Sequence, residues 1–237
     1  MEERIGQEEF NGHKLAVART ETNQKDVVIF CHGFKGTSIG PSRLFVRVAR
    51  LLATQNISSV RFDQYGSGNS DGEFLDSSFA DWVATTEAIV RSHLQQGYRV
   101  ALFGQSMGAS TAIVTAANIP ELSGCVAWVP GSNVGETLPA FDQILEEEGQ
   151  IFRGQFWREA SDARIAERLR SVKSPMYIVQ CTADKYVNQQ NRDAISASAQ
   201  PNHTVDIMDG YPHSDWTFEQ SEVVIQRSFR FLERSLS

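Results

Sequence analysis

The sequence is poor in cysteine, and its cysteines have neither the spacing of a zinc site nor that of a disulfide framework. Cys31, Cys125 and Cys181 lie far apart, each within an apolar run that resembles a strand. Metal sites and disulfide frameworks use closely spaced or evenly numbered cysteines, so this pattern indicates buried, unreactive thiols. Because thiols stay reduced in the cytoplasm, we expect a cytoplasmic protein.

Other absences exclude further classes of protein. The chain has no run of lysine or arginine and a net charge of −7, which argues against a nucleic-acid-binding protein. No apolar run approaches the roughly 18 residues of a membrane span. The charged start, Met1-Glu2-Glu3-Arg4, leads into no secretory apolar segment. The glycine-rich stretch 64–72 has Asp71 where the dinucleotide motif G-x-G-x-x-G needs glycine. The sequence therefore predicts no cofactor and no metal.

What the chain does contain is an alternation of short apolar runs with helix-like segments. The apolar runs, typical of strands covered on both faces, are residues 27–31, 59–63, 99–103, 124–129, 175–181 and 204–208. The turn dipeptide Asn11-Gly12 predicts a hairpin over residues 5–20. The 237 residues are enough for one large domain. We therefore predict an α/β fold, a mostly parallel sheet flanked by helices.

One segment, residues 132–171, interrupts this alternation. It is long for a simple connection and carries an acidic run and the aromatics Phe141, Phe152, Phe156 and Trp157. Long insertions of this kind are often lids. We predict a cap of two or three helices over residues 132–171, inserted into a core domain formed by residues 1–131 and 172–237.

The stretch 100–109 predicts the reactive centre. It reads as a strand that turns directly into a helix, with the spacing Gly104-x-Ser106-x-Gly108 at the corner. This spacing is typical of a nucleophile elbow, in which glycines leave room for a sharp turn that exposes the serine. A second match, Gly36-Thr37-Ser38-Ile39-Gly40, lies several residues beyond its strand, and we interpret Ser38 as a loop residue.

A serine nucleophile needs a neighbouring base, and His213 is the predicted one. It follows the last predicted strand, so it should lie at the same sheet edge as Ser106. The other four histidines are less suitable. His13 follows a hairpin turn, His93 is expected on a helix surface, His203 precedes a strand, and His32 is expected to brace the backbone.

The base in turn needs an acidic partner that fixes its tautomer. We predict Asp184, which follows the penultimate strand, with Asp209 and Asp63 as alternatives at other strand ends. The chain order of serine, aspartate and histidine is that of the α/β-hydrolase fold. The backbone amides of Phe34 and Met107 are the predicted oxyanion donors, because they follow a strand end and begin a helix.

With these residues in place, the chain resembles the serine esterases of the α/β-hydrolase fold, in particular the bacterial cinnamoyl/feruloyl esterase and monoacylglycerol-lipase-like branch. The resemblance is carried by His32-Gly33-Phe34, the Asp63-x-x-Gly66-x-Gly68-x-Ser70-x-Gly72 loop, Gly104-Gln105-Ser106-Met107-Gly108, Asp184 and His213. It implies an eight-stranded, mostly parallel sheet and a metal-free hydrolysis through an acyl-serine.

The sequence thus predicts a carboxylic ester hydrolase acting on short or medium acyl or aryl esters. Its partner is a small-molecule ester, and a homodimer is left open. The alternatives are a thioesterase, an amidase or peptidase, or a carbon–carbon hydrolase with the same triad. A non-catalytic binding protein on this fold is the alternative from another class, because fold alone does not determine function.

Overall fold

The structure, a computed structural model, describes residues 3–132 and 137–237. The strands of these residues are, in chain order, β1 (Glu3–Phe10), β2 (His13–Thr20), β3 (Asp26–Cys31), β4 (Ser58–Phe62), β5 (Arg99–Gln105), β6 (Gly124–Trp128), β7 (Ile144–Glu147), β8 (Gln150–Arg153), β9 (Met176–Cys181) and β10 (His203–Met208). The α-helices are α1 (Leu44–Thr54), α2 (Phe79–Gln95), α3 (Met107–Asn118), α4 (Gly154–Asp162), α5 (Ile165–Leu169), α6 (Gln189–Ser198) and α7 (Phe218–Ser235).

Eight of the strands form one sheet in the spatial order β1-β2-β4-β3-β5-β6-β9-β10. Six neighbouring strands of this sheet run parallel to one another, namely β4, β3, β5, β6, β9 and β10. The β1–β2 hairpin adds to the β4 edge in antiparallel fashion. This arrangement confirms the predicted eight-stranded, mostly parallel sheet. Because the parallel strands end at one edge, the loops that follow β3, β5, β9 and β10 meet there.

Helices cover both faces of the sheet. Helices α1 and α7 pack on one face, and α2 to α6 contribute to the core on the other. Strands β3, β6 and β9 are buried at every position, which explains why their sequences are continuously apolar. Within the described residues, no helix combines the length and apolar character that crossing a bilayer requires.

The insertion contains a β-hairpin that the sequence analysis did not predict. Strands β7 and β8 pair in antiparallel fashion around Glu148 and Gly149, whose φ angles of 54° and 80° suit a two-residue hairpin turn. Two helices follow, and Phe156 of α4 is fully buried with its ring 5.0 Å from that of Trp82. The helical part of the insertion thus packs on the body. Residues 133–136 of the predicted cap lie outside the described residues, and a cap role for residues 132–171 stays a prediction.

His93 is buried, so its predicted surface position is wrong. Only 4% of the residue is exposed. Its Nδ1 lies 2.7 Å from the carbonyl oxygen of Ile89, which can only accept, so Nδ1 carries the proton. Nε2 therefore accepts from the guanidinium of Arg19 at 2.9 Å. The ring follows Ile89 by one helical turn and lies on the same buried stripe of α2.

The cysteines are free and buried, which confirms their interpretation as structural thiols. Burial raises the pKa of Cys31 and of Cys181 to about 12, so neither is a thiolate at neutral pH.

Candidate active site

Ser106 lies between β5 and α3 in a conformation that serine rarely adopts, with φ 56° and ψ −124°. The flanking glycines make this possible. A Cβ on Gly104 would lie 2.3 Å from the carbonyl oxygen of Gly108, and a Cβ on Gly108 would lie 2.1 Å from that of Cys31. The turn is held by the N–H of Ser106, which donates to Trp128 O at 2.8 Å.

The structure brings Ser106, His213 and Asp184 together. The Oγ of Ser106 lies 2.8 Å from Nε2 of His213, and Nδ1 of His213 lies 2.6 Å from Oδ2 of Asp184. The imidazole is largely buried, with 9% of His213 exposed. These distances suit transfer of a proton from the serine hydroxyl to the imidazole.

Asp184 is fixed through both carboxylate oxygens. While Oδ2 accepts from His213, Oδ1 accepts from the backbone amides of Tyr186 at 2.8 Å and Val187 at 2.9 Å. Burial would raise the pKa of Asp184, but these hydrogen bonds outweigh burial and hold the pKa below its usual value. The group is therefore a carboxylate at neutral pH and can keep the proton of His213 on Nδ1.

The two alternative acids bond to loops instead. Oδ1 of Asp209 accepts from the hydroxyl of Thr182 at 2.9 Å, which ties the loop after β10 to the loop after β9. Asp63 accepts from the amides of Ser38 at 2.6 Å and Asn69 at 2.9 Å. Both carboxylates thus position the loops around the site, and Ser38 is the loop residue that the sequence predicted.

The remaining histidines have partners away from Ser106. His13 bonds Asp81 at 3.1 Å, and His203, the first residue of β10, accepts from the amide of Gln200 at 3.0 Å. His93 lies on α2, as described above.

His32 is completely enclosed and bonds the backbone through both ring nitrogens. The amide of Gln64 donates to Nε2 at 2.9 Å, so the ring proton is on Nδ1 and donates to Gly33 O at 2.8 Å. Gly36 donates to the same carbonyl at 2.9 Å. Burial lowers the pKa of His32, although the bond to Gly33 and the charge of Asp63 oppose this. The side chain is thus the backbone brace that the sequence analysis expected.

This bracing orients the amide of Phe34. Gly33 C=O and Phe34 N–H belong to one peptide unit, and in a trans peptide the two groups point in opposite directions. Since the carbonyl points at His32, the N–H of Phe34 points away from it, and Phe34 is one of the residues that line the cavity. A Cβ on Gly33 would lie 3.1 Å from Cβ of Ser106, so this loop passes directly beside the serine.

Two amides at the site, those of Phe34 and Met107, have no acceptor among the residues that the structure describes. Met107 is the first residue of α3, where amides have no helical acceptor and the helix dipole favours negative charge. The two predicted oxyanion donors are therefore available beside Ser106.

A cavity of about 500 Å³ opens over Ser106 and His213, a size suited to a small organic ligand. One part of its lining is apolar and includes Phe34, Met107 and Trp157. The ring of Phe34 also packs 4.9 Å from those of Phe152 and Phe156, which joins the loop after β3 to the insertion. The described part of the chain holds no cluster of side chains suited to a metal ion.

Two contacts at the cavity were missed from the sequence. Lys35 donates to Glu147 at 2.7 Å and to Glu148 at 2.8 Å, so the hairpin turn is tied to the residue after Phe34. Tyr186 is 68% exposed, and its ring lies 5.2 Å from that of His213. Two features of the sequence pointed to the first contact. Lys35 directly follows Phe34, and the insertion carries the acidic run Glu146-Glu147-Glu148.

The fold is shared with several solved structures. The chain is similar to Est1E from Butyrivibrio proteoclasticus with ferulic acid bound, at 22% identity over 97% of this chain and 98% of that chain, with a TM-score of 0.85. It is also similar to the alpha/beta hydrolase GrgF from Penicillium sp. sh18, at 16% identity over 100% and 99%, TM-score 0.83. The Pyrococcus furiosus esterase PF2001 matches at 19% identity over 100% and 92%, TM-score 0.77.

Comparison with curated proteins finds no match. A family model does match, over residues 22–158, and its family is described as serine aminopeptidase, S33. The match covers more than half of the sequence and includes Ser106 with its flanking glycines. It confirms the resemblance to α/β hydrolases, and the chain belongs to the serine aminopeptidase S33 family of that fold.

Proposed function

We propose that this protein is a serine-dependent carboxylic ester hydrolase. The observation that carries the proposal is the continuous hydrogen-bonded chain from Ser106 through His213 to Asp184, at 2.8 and 2.6 Å. Serine is a weak nucleophile at neutral pH, and such a chain activates it.

In the first half of the reaction, Nε2 of His213 takes the proton of the Ser106 hydroxyl as Oγ attacks the ester carbonyl. The carbonyl oxygen becomes an oxyanion, held by the amides of Phe34 and Met107. As the tetrahedral intermediate collapses, the imidazolium donates its proton to the departing alkoxide, and an acyl-serine remains.

In the second half, His213 takes a proton from water, and the hydroxide attacks the acyl-serine. The same amides hold the second oxyanion, and the proton on His213 returns to Ser106 Oγ as the acid leaves. Asp184 keeps the imidazole in the productive tautomer and stabilises its charged form throughout.

The cavity favours short or medium acyl groups and aryl groups. Its volume of about 500 Å³ and its aromatic side chains Phe34, Trp157 and Tyr186 suit flat or compact apolar groups. The bound ferulic acid of the similar structure of Est1E supports aryl esters in particular.

A second candidate is hydrolysis of an amide at the N-terminus of a peptide. The family description as a serine aminopeptidase favours it. The carboxylates of Glu147 and Glu148 line the cavity and could bind an amino group, but both already bond Lys35. We therefore place this candidate second.

The test compares wild type with Ser106→Ala and Ser38→Ala on p-nitrophenyl butyrate and on aminoacyl p-nitroanilides. We expect ester hydrolysis by wild type, a loss of at least about 10⁴-fold in kcat for Ser106→Ala, and activity close to wild type for Ser38→Ala. Ser38 is the matched control, because it is the serine of the second G-x-S-x-G pattern and lies in a loop. Equal turnover by wild type and Ser106→Ala would reject the mechanism, and turnover of anilides alone would favour the peptidase.

A further inference from the structure

Gln105 is a buried polar residue at the cavity for which the mechanism has no role. It is the last residue of β5, directly before Ser106, and only 4% of it is exposed. It lines the cavity together with Ser106 and His213.

The amide of the Gln105 side chain has no partner within the described ranges of the protein. A primary amide offers two donors and an acceptor, and a buried one is normally bonded. Gln180, a buried glutamine on β9 away from the cavity, follows this rule. Its Nε2 donates to Arg192 O at 2.9 Å, and its Oε1 accepts from Ser196 at 3.1 Å. Gln64, also buried, donates through Nε2 to Trp82 O, although its Oε1 has no partner. Among the buried glutamines of the described residues, Gln105 is therefore the one whose amide is bonded at neither end.

The position of Gln105 places its amide oxygen close to Ser106. A Cβ on Gly33 would lie 2.7 Å from Oε1 of Gln105 and 3.1 Å from Cβ of Ser106. The amide oxygen thus lies against the same loop that presents Phe34 N–H. Thr37 and Ser214 also line the cavity, so it has a polar part as well as the aromatic one.

We propose that the Gln105 amide is a specificity-determining subsite that binds a hydroxyl group near the ester carbonyl of the substrate; this inference rests on the proposed function. In the free protein, water can pair with the amide. A substrate that displaces this water without offering a hydrogen bond leaves a buried polar group unpaired, and is rejected. A hydroxyl can both donate to Oε1 and accept from Nε2, so it satisfies the amide.

The experiment compares two pairs of esters of similar shape. Methyl 3-hydroxybutyrate against methyl 3-methylbutanoate places the hydroxyl on the acyl side, and 2-hydroxyethyl butyrate against propyl butyrate places it on the alcohol side. We expect wild type to prefer the hydroxylated ester in one of the pairs by roughly 10- to 100-fold in kcat/KM. The pair that shows the preference identifies the side that Gln105 contacts.

The deciding variant is Gln105→Met, which keeps the length of the side chain and removes the amide. We expect kcat/KM to fall for the hydroxylated ester and rise for its partner, so that their ratio approaches one. Gln105→Leu serves if the first variant fails to fold, as judged by circular dichroism. Ser110→Ala is the matched control. Ser110 also lines the cavity, but its hydroxyl already donates to Gly131 O at 3.0 Å, so the ratio should stay at the wild-type value.

Calorimetric binding of the same ester pairs to Ser106→Ala separates this inference from the proposed function. Tighter binding of the hydroxylated ester, lost in Ser106→Ala with Gln105→Met, supports the subsite whether or not wild type turns the esters over. Absence of Ser106-dependent turnover would reject the esterase alone. No preference in either pair, or a preference that survives Gln105→Met, would overturn the subsite.

Discussion

The enclosed imidazole of His32 links the backbone of two loops that form the site. Its Nε2 accepts from Gln64 N–H, and its Nδ1 donates to the carbonyl of the peptide unit that presents Phe34 N–H. The ring touches no substrate in this arrangement, so we assign it a positioning role. If that peptide unit rotates, the proposed oxyanion site loses one of its two donors, a loss that typically costs about 10²–10³ in turnover.

Two substitutions separate the bonds of His32. In His32→Gln, the side-chain oxygen can reach the position of Nε2 but nothing replaces Nδ1–H. In His32→Asn, the amide nitrogen replaces Nδ1–H but nothing accepts from Gln64. We expect kcat to fall by roughly 10- to 100-fold in His32→Gln with KM little changed, and to fall less in His32→Asn. Steady-state kinetics on p-nitrophenyl butyrate gives both constants. Equal losses in the two variants, or a change confined to KM, would contradict the positioning role.

Some residues of the candidate site were easier to predict from the sequence than others, for physical reasons. Ser106 could be predicted because both flanking positions require glycine: a Cβ at Gly104 or Gly108 would lie within 2.3 Å of a backbone oxygen. The partner of His213 was harder, since Asp184 and Asp209 both follow strands. Their hydrogen bonds distinguish the two. Asp184 is held by two backbone amides, whereas Asp209 accepts a hydrogen bond from the hydroxyl of Thr182. Such loop contacts leave no pattern in a single sequence.

At the scale of elements, the buried strands were predictable and the hairpin β7–β8 was not. Strands such as β3 and β9 are covered on both faces, so their sequences are apolar throughout. The hairpin strands have four residues each, and only one of these residues is fully buried, so they lack a continuous apolar run. The turn lies at the Glu148-Gly149 pair, where both residues have a positive φ.

The hairpin is tied to the body at its turn by one lysine. Lys35 donates to Glu147 and Glu148, and the Lys35 side chain is 18% exposed. Burial alone would lower the pKa of Lys35, but the bonds to these two carboxylates outweigh it and raise the pKa. The ion pairs thus persist at neutral pH and hold the hairpin turn next to Phe34.

We expect Lys35→Met to loosen the hairpin. Amide hydrogen exchange of β7 and β8 should speed up a few-fold, with little change in the central sheet strand β5. High salt should move wild type in the same direction, because it screens exposed ion pairs. Lys173→Met, which removes an exposed lysine that makes no ion pair with the described residues, is the matched control and should leave the hairpin's exchange at the wild-type rate.

A double-mutant cycle decides whether the ion pairs are the cause. Glu147→Gln with Glu148→Gln should speed exchange as Lys35→Met does, and combining all three substitutions should add no further increase. Additive effects would show that the hairpin is held by other contacts, such as the packing of Phe152 against Phe34.

At the scale of the whole molecule, the site depends on the sheet that collects distant parts of the chain. Ser106 and His213 are 107 positions apart, yet their side chains meet because β5 and β10 end at the same edge. This convergence could be predicted from the order of strands and helices alone. The burial of polar side chains in the helices around the sheet could not be predicted in this way. His93, expected at the surface, is an example, since it is buried.

The buried histidines make the fold sensitive to mild acid. Burial lowers the pKa of His32 and of His93, and the charge of Arg19 lowers that of His93 further. The unfolded chain binds protons at about pH 6.5, so below that pH it binds more protons than the folded chain. The free energy of unfolding should therefore fall as the pH drops from 7 to 5, by no more than about 2 kcal/mol for each histidine.

The substitution His93→Gln tests this dependence, because glutamine can still accept from Arg19 but does not titrate in this range. We expect the variant to be less stable at pH 7, since its bond to Ile89 O is lost, and to lose less stability than wild type between pH 7 and 5. Urea unfolding at several pH values measures both. Ile89→Val is the matched control, as it destabilises the same helix by about 0.5–1.5 kcal/mol and should keep the wild-type pH dependence. If His93→Gln and wild type lose stability equally between pH 7 and 5, the buried imidazole is not a source of the acid sensitivity.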